Sequence, residues 1–165
     1  MKLLNSKIAV LLFSLLPPVV LAGNFESKLV EAAIERTTKS ISYDGSYFAI
    51  AYPNGDVPSN IGVCTDVVIR SYRKLGTDLQ KLVHEDMSEN FNMYSSKRIW
   101  GLIKPDKNID HRRVPNLQVF FSRHGTSIEI SKDSKDYKPG DLVTWTLPGN
   151  LPHIGIVTDQ KSTAG

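Results

Sequence analysis

The chain has 165 residues, enough for one domain with a hydrophobic core, and its 20 basic and 17 acidic residues give a net charge of +3. The sequence contains no low-complexity run or internal repeat, which excludes the disordered and repetitive classes of protein. Its single cysteine, Cys64, excludes an internal disulfide and a multi-cysteine zinc site.

Residues 1–22 have the features of a secretory signal peptide. Two lysines precede an apolar segment at residues 8–16, and Ala22 is a small residue at the predicted cleavage point. The apolar segment is shorter than the roughly 20 residues that a transmembrane helix needs. Cleavage leaves 18 basic and 17 acidic residues, a balance that does not indicate nucleic-acid binding. We therefore expect one domain over residues 23–165, exported across the inner membrane to the periplasm and without a membrane anchor after cleavage.

The first part of this domain has apolar residues at helical spacing. The spacing predicts helices over residues 24–40, 64–75, 79–91 and 116–124. Gly76 stands where a helix-ending glycine is typical, and Asp78 or Thr77 is a suitable cap for the third helix. Residues 104–115 are polar and bounded by prolines, which favours a loop.

The last part of the chain alternates between apolar and polar residues. This pattern predicts short strands at residues 127–130, 141–145 and 153–157, with turns at 137–140 and 148–150. Helices followed by strands indicate an α+β fold, in which the helices pack on one face of a small antiparallel sheet.

Cys64 is the strongest candidate for a catalytic residue. It opens the second predicted helix, where the positive end of the helix dipole favours the thiolate. His153 begins the last predicted strand and is our candidate for an imidazole that exchanges a proton with the thiol, giving an ion pair near neutral pH. The residues alone leave two plainer interpretations open: a buried, inert cysteine and a histidine bonded to backbone.

Three segments resemble NlpC-type, papain-like cysteine peptidases of the bacterial cell wall. Gly62-Val63-Cys64-Thr65-Asp66-Val67-Val68 resembles their nucleophile segment. Tyr137-Lys138-Pro139-Gly140-Asp141-Leu142-Val143 resembles their Pro-Gly-Asp strand, and His153-Ile154-Gly155-Ile156-Val157 resembles their histidine strand. Asp110-His111-Arg112-Arg113 and its surroundings more closely resemble a family of secreted bacterial proteins placed within that superfamily.

The resemblance implies a papain-like fold and hydrolysis of amide bonds, with peptidoglycan stem peptides or other peptides as substrate. It implies that Cys64 forms a thioester and that His153 acts as base and then as acid, without a metal or cofactor. It also implies that the Tyr52 hydroxyl helps the Cys64 N–H to hold the oxyanion. A structural role for Tyr52 is an equal alternative.

The chain departs from the resembled enzymes in two places. Residues 63–66 lack the acid that usually precedes the cysteine and the Ser-Gly that follows it. Asp66 instead adds a carboxylate that we expect to cap the helix or to bond to a neighbouring loop. The residue that orients the histidine in those enzymes lies on a further strand. Because the sequence ends at Gly165, we expect a truncated domain without its closing strands, and Asp159 is the nearby carboxylate that can orient His153.

The predicted loop at 104–115 supplies candidate substrate-binding residues: Asp110, His111, Arg112 and Arg113. Adjacent arginines can bind carboxylates of a peptide or can anchor a loop to acidic residues of the core. We expect one arginine in each role.

Two further hypotheses compete with a cysteine hydrolase. The first is a non-catalytic module that binds cell-wall peptides through the 110–113 segment. The second is a metal-dependent hydrolase that uses Cys64 and His153 with His84 or His111, although no motif has a known ligand spacing. Consecutive helical residues such as His84 and Glu85 point about 100° apart, which favours a solvated polar face.

Overall fold

The computed structural model describes residues 25–161, so the predicted signal peptide lies outside the described residues. The α-helices are α1 Phe25–Thr37, α2 Cys64–Lys74, α3 Leu79–Asn90, α4 Ser96–Trp100 and α5 Val114–His124. The strands are β1 Ser42–Tyr43, β2 Ile61–Gly62, β3 Leu142–Leu147 and β4 Leu151–Ile156. The first two strands pair in parallel and the last two pair antiparallel. Helices combined with small sheets confirm the predicted α+β class.

The hydrophobic core lies between α2, α3, α5 and one face of β4. Val68, Val83, Met87 and Leu117 are 0% exposed, and Ile154 from β4 is 3% exposed. Burial of each such side chain contributes roughly 1.5–3 kcal/mol. Because side chains alternate along a strand, the inward position of Ile154 turns its neighbour on β4 away from the core. That neighbour is His153.

The β3–β4 hairpin places Trp145 directly opposite His153. The predicted turn at 148–150 is confirmed, with positive φ at Gly149 (83°) and Asn150 (60°). The predicted turn at 137–140 is also confirmed. Gly140 has a φ of 98°, and a Cβ at this position would lie 2.6 Å from the Cβ of Glu26 on α1. The turn therefore needs glycine both for its backbone conformation and for its close packing against α1.

The predicted cap of the third helix is confirmed, whereas one predicted strand and part of one predicted loop are wrong. Asp78 caps α3, accepting a hydrogen bond from Gln80 N at 3.0 Å. Residues 127–130 do not form a strand, and Ile130 is 97% exposed, because no described strand pairs with this segment and no core lies beneath it. Part of the predicted loop at 104–115 is instead a buried 3-10 turn, Asp110–Arg112.

The helix after this turn begins earlier than predicted. α5 starts at Val114, and Pro115 fits in its first turn because the missing N–H is not needed there. Within residues 25–161, no helix combines the length and the apolar character that crossing a bilayer requires.

Candidate active site

The start of α2 is fixed by a buried ion pair. Asp66, in the first turn, accepts a hydrogen bond from Val63 N at 2.7 Å. Its two carboxylate oxygens each accept a bond of 2.9 Å from the Arg112 guanidinium. The side chains of both ionic partners are almost fully buried, at 4% and 3% exposure. Asp66 therefore fulfils both expectations for it, because it caps the helix and bonds to another segment.

Arg112 connects this helix start to two loops. It donates to the carbonyl oxygens of Ser46 (3.2 Å) and Asp44 (3.3 Å), and its own carbonyl accepts from the Thr65 hydroxyl at 3.0 Å. These contacts hold the backbone of Asp44 and Ser46 beside the start of α2. Arg112 is thus the structural arginine of the predicted pair.

Arg113 occupies a different environment. Its guanidinium lies over the Trp100 ring at 4.1 Å from the ring centroid and is 3.2 Å from Asp110 Oδ1. Asp110 and His111 are 1% and 2% exposed and line neither cleft described below. Burial raises the pKa of Asp110 to about 6 and lowers the pKa of His111 to about 4. Of the four predicted substrate-binding residues, the two arginines alone reach a cleft.

Cys64 lies where two clefts meet. The first, which we call the basic cleft, has a volume of about 290 Å³ and contains Arg36, Lys39, Tyr43, Cys64, Arg70 and His153. The second, the aromatic cleft, has a volume of about 320 Å³ and contains Tyr43, Cys64, Trp100, Arg113, Pro115 and Pro152. Tyr43, Val63 and Cys64 line both clefts and form the boundary between them. A ligand that fills both clefts would therefore cross the boundary on which the thiol lies.

The structure brings Cys64 and His153 to the same cleft. β4 packs against α2, and the half-buried Cys64 lies beside the backbone of Ile154. Burial raises the pKa of the thiol, against the opposing effect of the backbone N–H groups of Ile154 and Thr65. Burial of the thiol thus opposes the stabilisation of the thiolate that is expected at a helix start.

Two predicted helpers of the pair lie elsewhere. Tyr52 packs its ring against His84 on α3, with centroids 5.2 Å apart, and lines neither cleft. Asp159 is exposed beyond the end of β4 and also lines neither cleft. The His153 imidazole contacts the Trp145 ring, at a centroid distance of 4.7 Å. The predicted orienting carboxylate and the predicted oxyanion tyrosine therefore both lie outside the cleft that contains Cys64 and His153.

Sequence reasoning missed Tyr43, Arg36 and Lys39 as site residues. They come from α1 and the segment after it, more than twenty residues before the cysteine. No short motif surrounds them, and only the parallel pairing of β1 with β2 brings Tyr43 beside Gly62. The two cations at and just beyond the end of the first helix are a signal for Arg36 and Lys39, but not for Tyr43.

The polar residues His84 and Asp86 of α3 contact other side chains and line neither cleft. Asp86 is bound by Arg123 and His124 of α5, while His84 contacts Tyr52. Across residues 25–161, no group of three or more His, Cys, Asp or Glu side chains is arranged to hold a metal ion.

Comparison with known proteins covers nearly the whole described chain. A family model described as Domain of unknown function (DUF1287) matches residues 30–165. The chain is 48% identical over 151 residues to Uncharacterized protein YijF of Escherichia coli (strain K12), in an alignment that spans 90% of this chain and 73% of that relative. No solved structure matches the chain.

Proposed function

The chain belongs to the DUF1287 family, and we propose that it is an exported cysteine hydrolase that cleaves amide bonds in peptidoglycan stem peptides. The fold we propose is papain-like and of the NlpC type. The observation that carries the proposal is the shared cleft of Cys64 and His153, with the cysteine at the first residue of α2. The two clefts that meet at the thiol also suit an extended peptide with one part on each side of the scissile bond.

The proposed reaction proceeds through a thioester. His153 takes the proton of the Cys64 thiol as the sulfur attacks the carbonyl carbon, and a tetrahedral oxyanion forms. Backbone N–H groups at the start of α2 have no partner within the helix and can donate to this oxyanion. His153 then gives its proton to the departing amine. A water molecule, deprotonated by His153, attacks the thioester, which releases the carboxylate product and restores the thiol.

The raised pKa of Cys64 affects the first step. The resting site holds a neutral thiol at pH 7, because burial disfavours the thiolate. Proton transfer to His153 therefore accompanies the attack on the substrate rather than preceding it. Substrate that covers the cleft excludes water around the pair and brings the carbonyl to the sulfur.

The test is turnover of soluble peptidoglycan fragments, with products identified by mass spectrometry. Cys64→Ala and His153→Ala are each expected to lower kcat by at least about 10³-fold, since the residues act as one unit. His124→Gln is the matched histidine control, because His124 is half-exposed at the end of α5 and is absent from both clefts. Wild-type turnover in Cys64→Ala would refute the proposal.

A second candidate function is a non-catalytic module that binds the same peptides. It is favoured by the neutral thiol and by the absence, within residues 25–161, of a polar group that orients His153. Under this alternative, calorimetry would show that Cys64→Ala binds the fragments as well as the wild type does. No product would form with either protein.

A further inference from the structure

The basic cleft is lined by more cationic than anionic side chains. Arg36 lies near the end of α1, Lys39 lies just beyond it, and Arg70 comes from α2. Asp66 lines the same cleft, but its carboxylate is already bound by Arg112. The charge balance of the cleft therefore depends on whether the three cations have partners of their own.

Arg70 is fully engaged by the protein. Its Nε lies 3.0 Å from Asp56 Oδ2, and its other nitrogens donate to the carbonyl oxygens of Ile61 (3.1 Å) and Val57 (3.2 Å). The Arg70 side chain is 8% exposed. These bonds occupy the donors of its guanidinium and indicate a structural role.

Arg36 and Lys39 differ from Arg70. Within residues 25–161, neither side chain has a hydrogen-bond or ion-pair partner. Partial burial lowers the pKa of Arg36, and the neighbouring charge of Arg70 lowers it further, although the carboxylates of Asp56 and Asp66 offset part of this effect. A guanidinium in this position gains stability when an anion binds beside it, because the anion replaces lost hydration and offsets the repulsion.

We infer that the basic cleft binds a carboxylate of the substrate, with Arg36 as its principal ligand and Lys39 as a second positive charge. The inference rests on the proposed function and narrows its substrate to peptides that carry a free carboxylate on the part seated in this cleft. The guanidinium fork matches a carboxylate in a two-bond geometry, and a cleft focuses the field of unpaired cations. Carboxylates are also the anionic groups that a peptide itself supplies.

The test compares two forms of one ligand. The probes are tetrapeptide fragments from peptidoglycan, with their carboxyl groups either free or converted to carboxamides. We expect the wild type to prefer the free form by about 10- to 100-fold in kcat/KM, the range for a charge-assisted hydrogen bond. Arg36→Gln should lose most of this preference, and Arg36→Lys should retain part of it. Lys28→Gln is the control, because it removes an exposed charge from the same helix outside the cleft.

Binding to a Cys64→Ser background separates this inference from the proposed function. The carboxylate site is supported if calorimetry shows that Cys64→Ser binds the free form more tightly than the carboxamide form, and if this preference disappears in Cys64→Ser/Arg36→Gln. This result does not depend on whether the wild type shows turnover. The carboxylate site is refuted if the two forms bind equally well, or if neither form binds. It is also refuted if Arg36→Gln weakens the binding of both forms to the same extent. Inorganic phosphate that binds through Arg36 more tightly than the free peptide also overturns it, by assigning the cleft to a phosphorylated ligand.

Discussion

The buried pair of Asp66 and Arg112 provides a quantitative test of how the site is built. In Arg112→Met, the Asp66 carboxylate stays buried with one backbone donor, Val63 N. In Asp66→Asn, the guanidinium stays buried and keeps two carbonyl partners. Each change leaves an uncompensated buried charge and should lower the free energy of unfolding by about 3–5 kcal/mol. The double variant removes both charges. We therefore expect its loss of unfolding free energy to be about 2–3 kcal/mol smaller than the sum of the losses in the two single variants.

The assay is urea unfolding at pH 7, followed by circular dichroism. The control pair is Lys81 and Glu85, an exposed pair one helical turn apart on α3, for which we expect a coupling of at most about 0.5 kcal/mol. The same variants should change the alkylation rate of Cys64, because the ion pair fixes the helix start that carries the thiol. The proposed role of the ion pair would be refuted if each single variant lowered the free energy of unfolding by less than about 1 kcal/mol. It would also be refuted if the effects of the two single variants added to that of the double variant within about 0.5 kcal/mol.

Three further predictions concern the thiol, the buried turn and the loop before α2. Because burial raises the pKa of Cys64, iodoacetamide should label it slowly at pH 7 and much faster above pH 9, and a midpoint below pH 8 would contradict this. His111, with its pKa lowered to about 4, contributes stability that is present above pH 6.5 and is lost as the pH falls through 4. Asp110, with its pKa raised to about 6, contributes stability that is present below about pH 4 and is lost as the pH rises through 6. The two contributions, each about 3 kcal/mol, offset one another in the wild type. As the pH falls from 6.5 to 4, the free energy of unfolding should therefore decrease in Asp110→Asn and increase in His111→Asn. If it stays constant in both variants, the two pKa assignments are wrong. Gln80→Leu should cost about 2–4 kcal/mol in urea unfolding, since Gln80 is 0% exposed and bonds to Gly55 N and to the carbonyls of Ala51 and Lys107. Gln118→Leu, at an exposed bond to Thr144, should stay within about 0.5 kcal/mol of wild type, and equal costs for the two glutamines would contradict the role of Gln80.

The sequence predicted best the features that depend on neighbouring residues. The start of α2 at Cys64, the Asp78 cap of α3 and the two turns around β3 follow from local spacing and turn chemistry. The strand expected at 127–130 shows the limit of this reasoning. Alternating residues predict a strand only if another strand and a core are available to pair with it, and these are not local properties.

The candidate site also combines features that the local sequence predicts with features that depend on long-range packing. The sequence by itself determined that a lone cysteine opens a helix and that a histidine follows on a late strand. Whether these residues share a cleft depended on the packing of β4 against α2. The pKa direction of Cys64 also depended on packing, because dehydration of the thiol is a property of everything around it.

The different environments of the two arginines depend on the tertiary structure alone. Arg112 and Arg113 are chemically identical neighbours, and nothing in their order distinguishes them. The backbone of the 110–112 turn directs Arg112 inward to Asp66 and Arg113 outward to Trp100. Arg36, which no motif marks, lines the same cleft as the thiol because α1 packs along α2. Residue type thus determines which chemistry is possible, whereas long-range packing determines which side chains share a cleft and which of them still lack a partner.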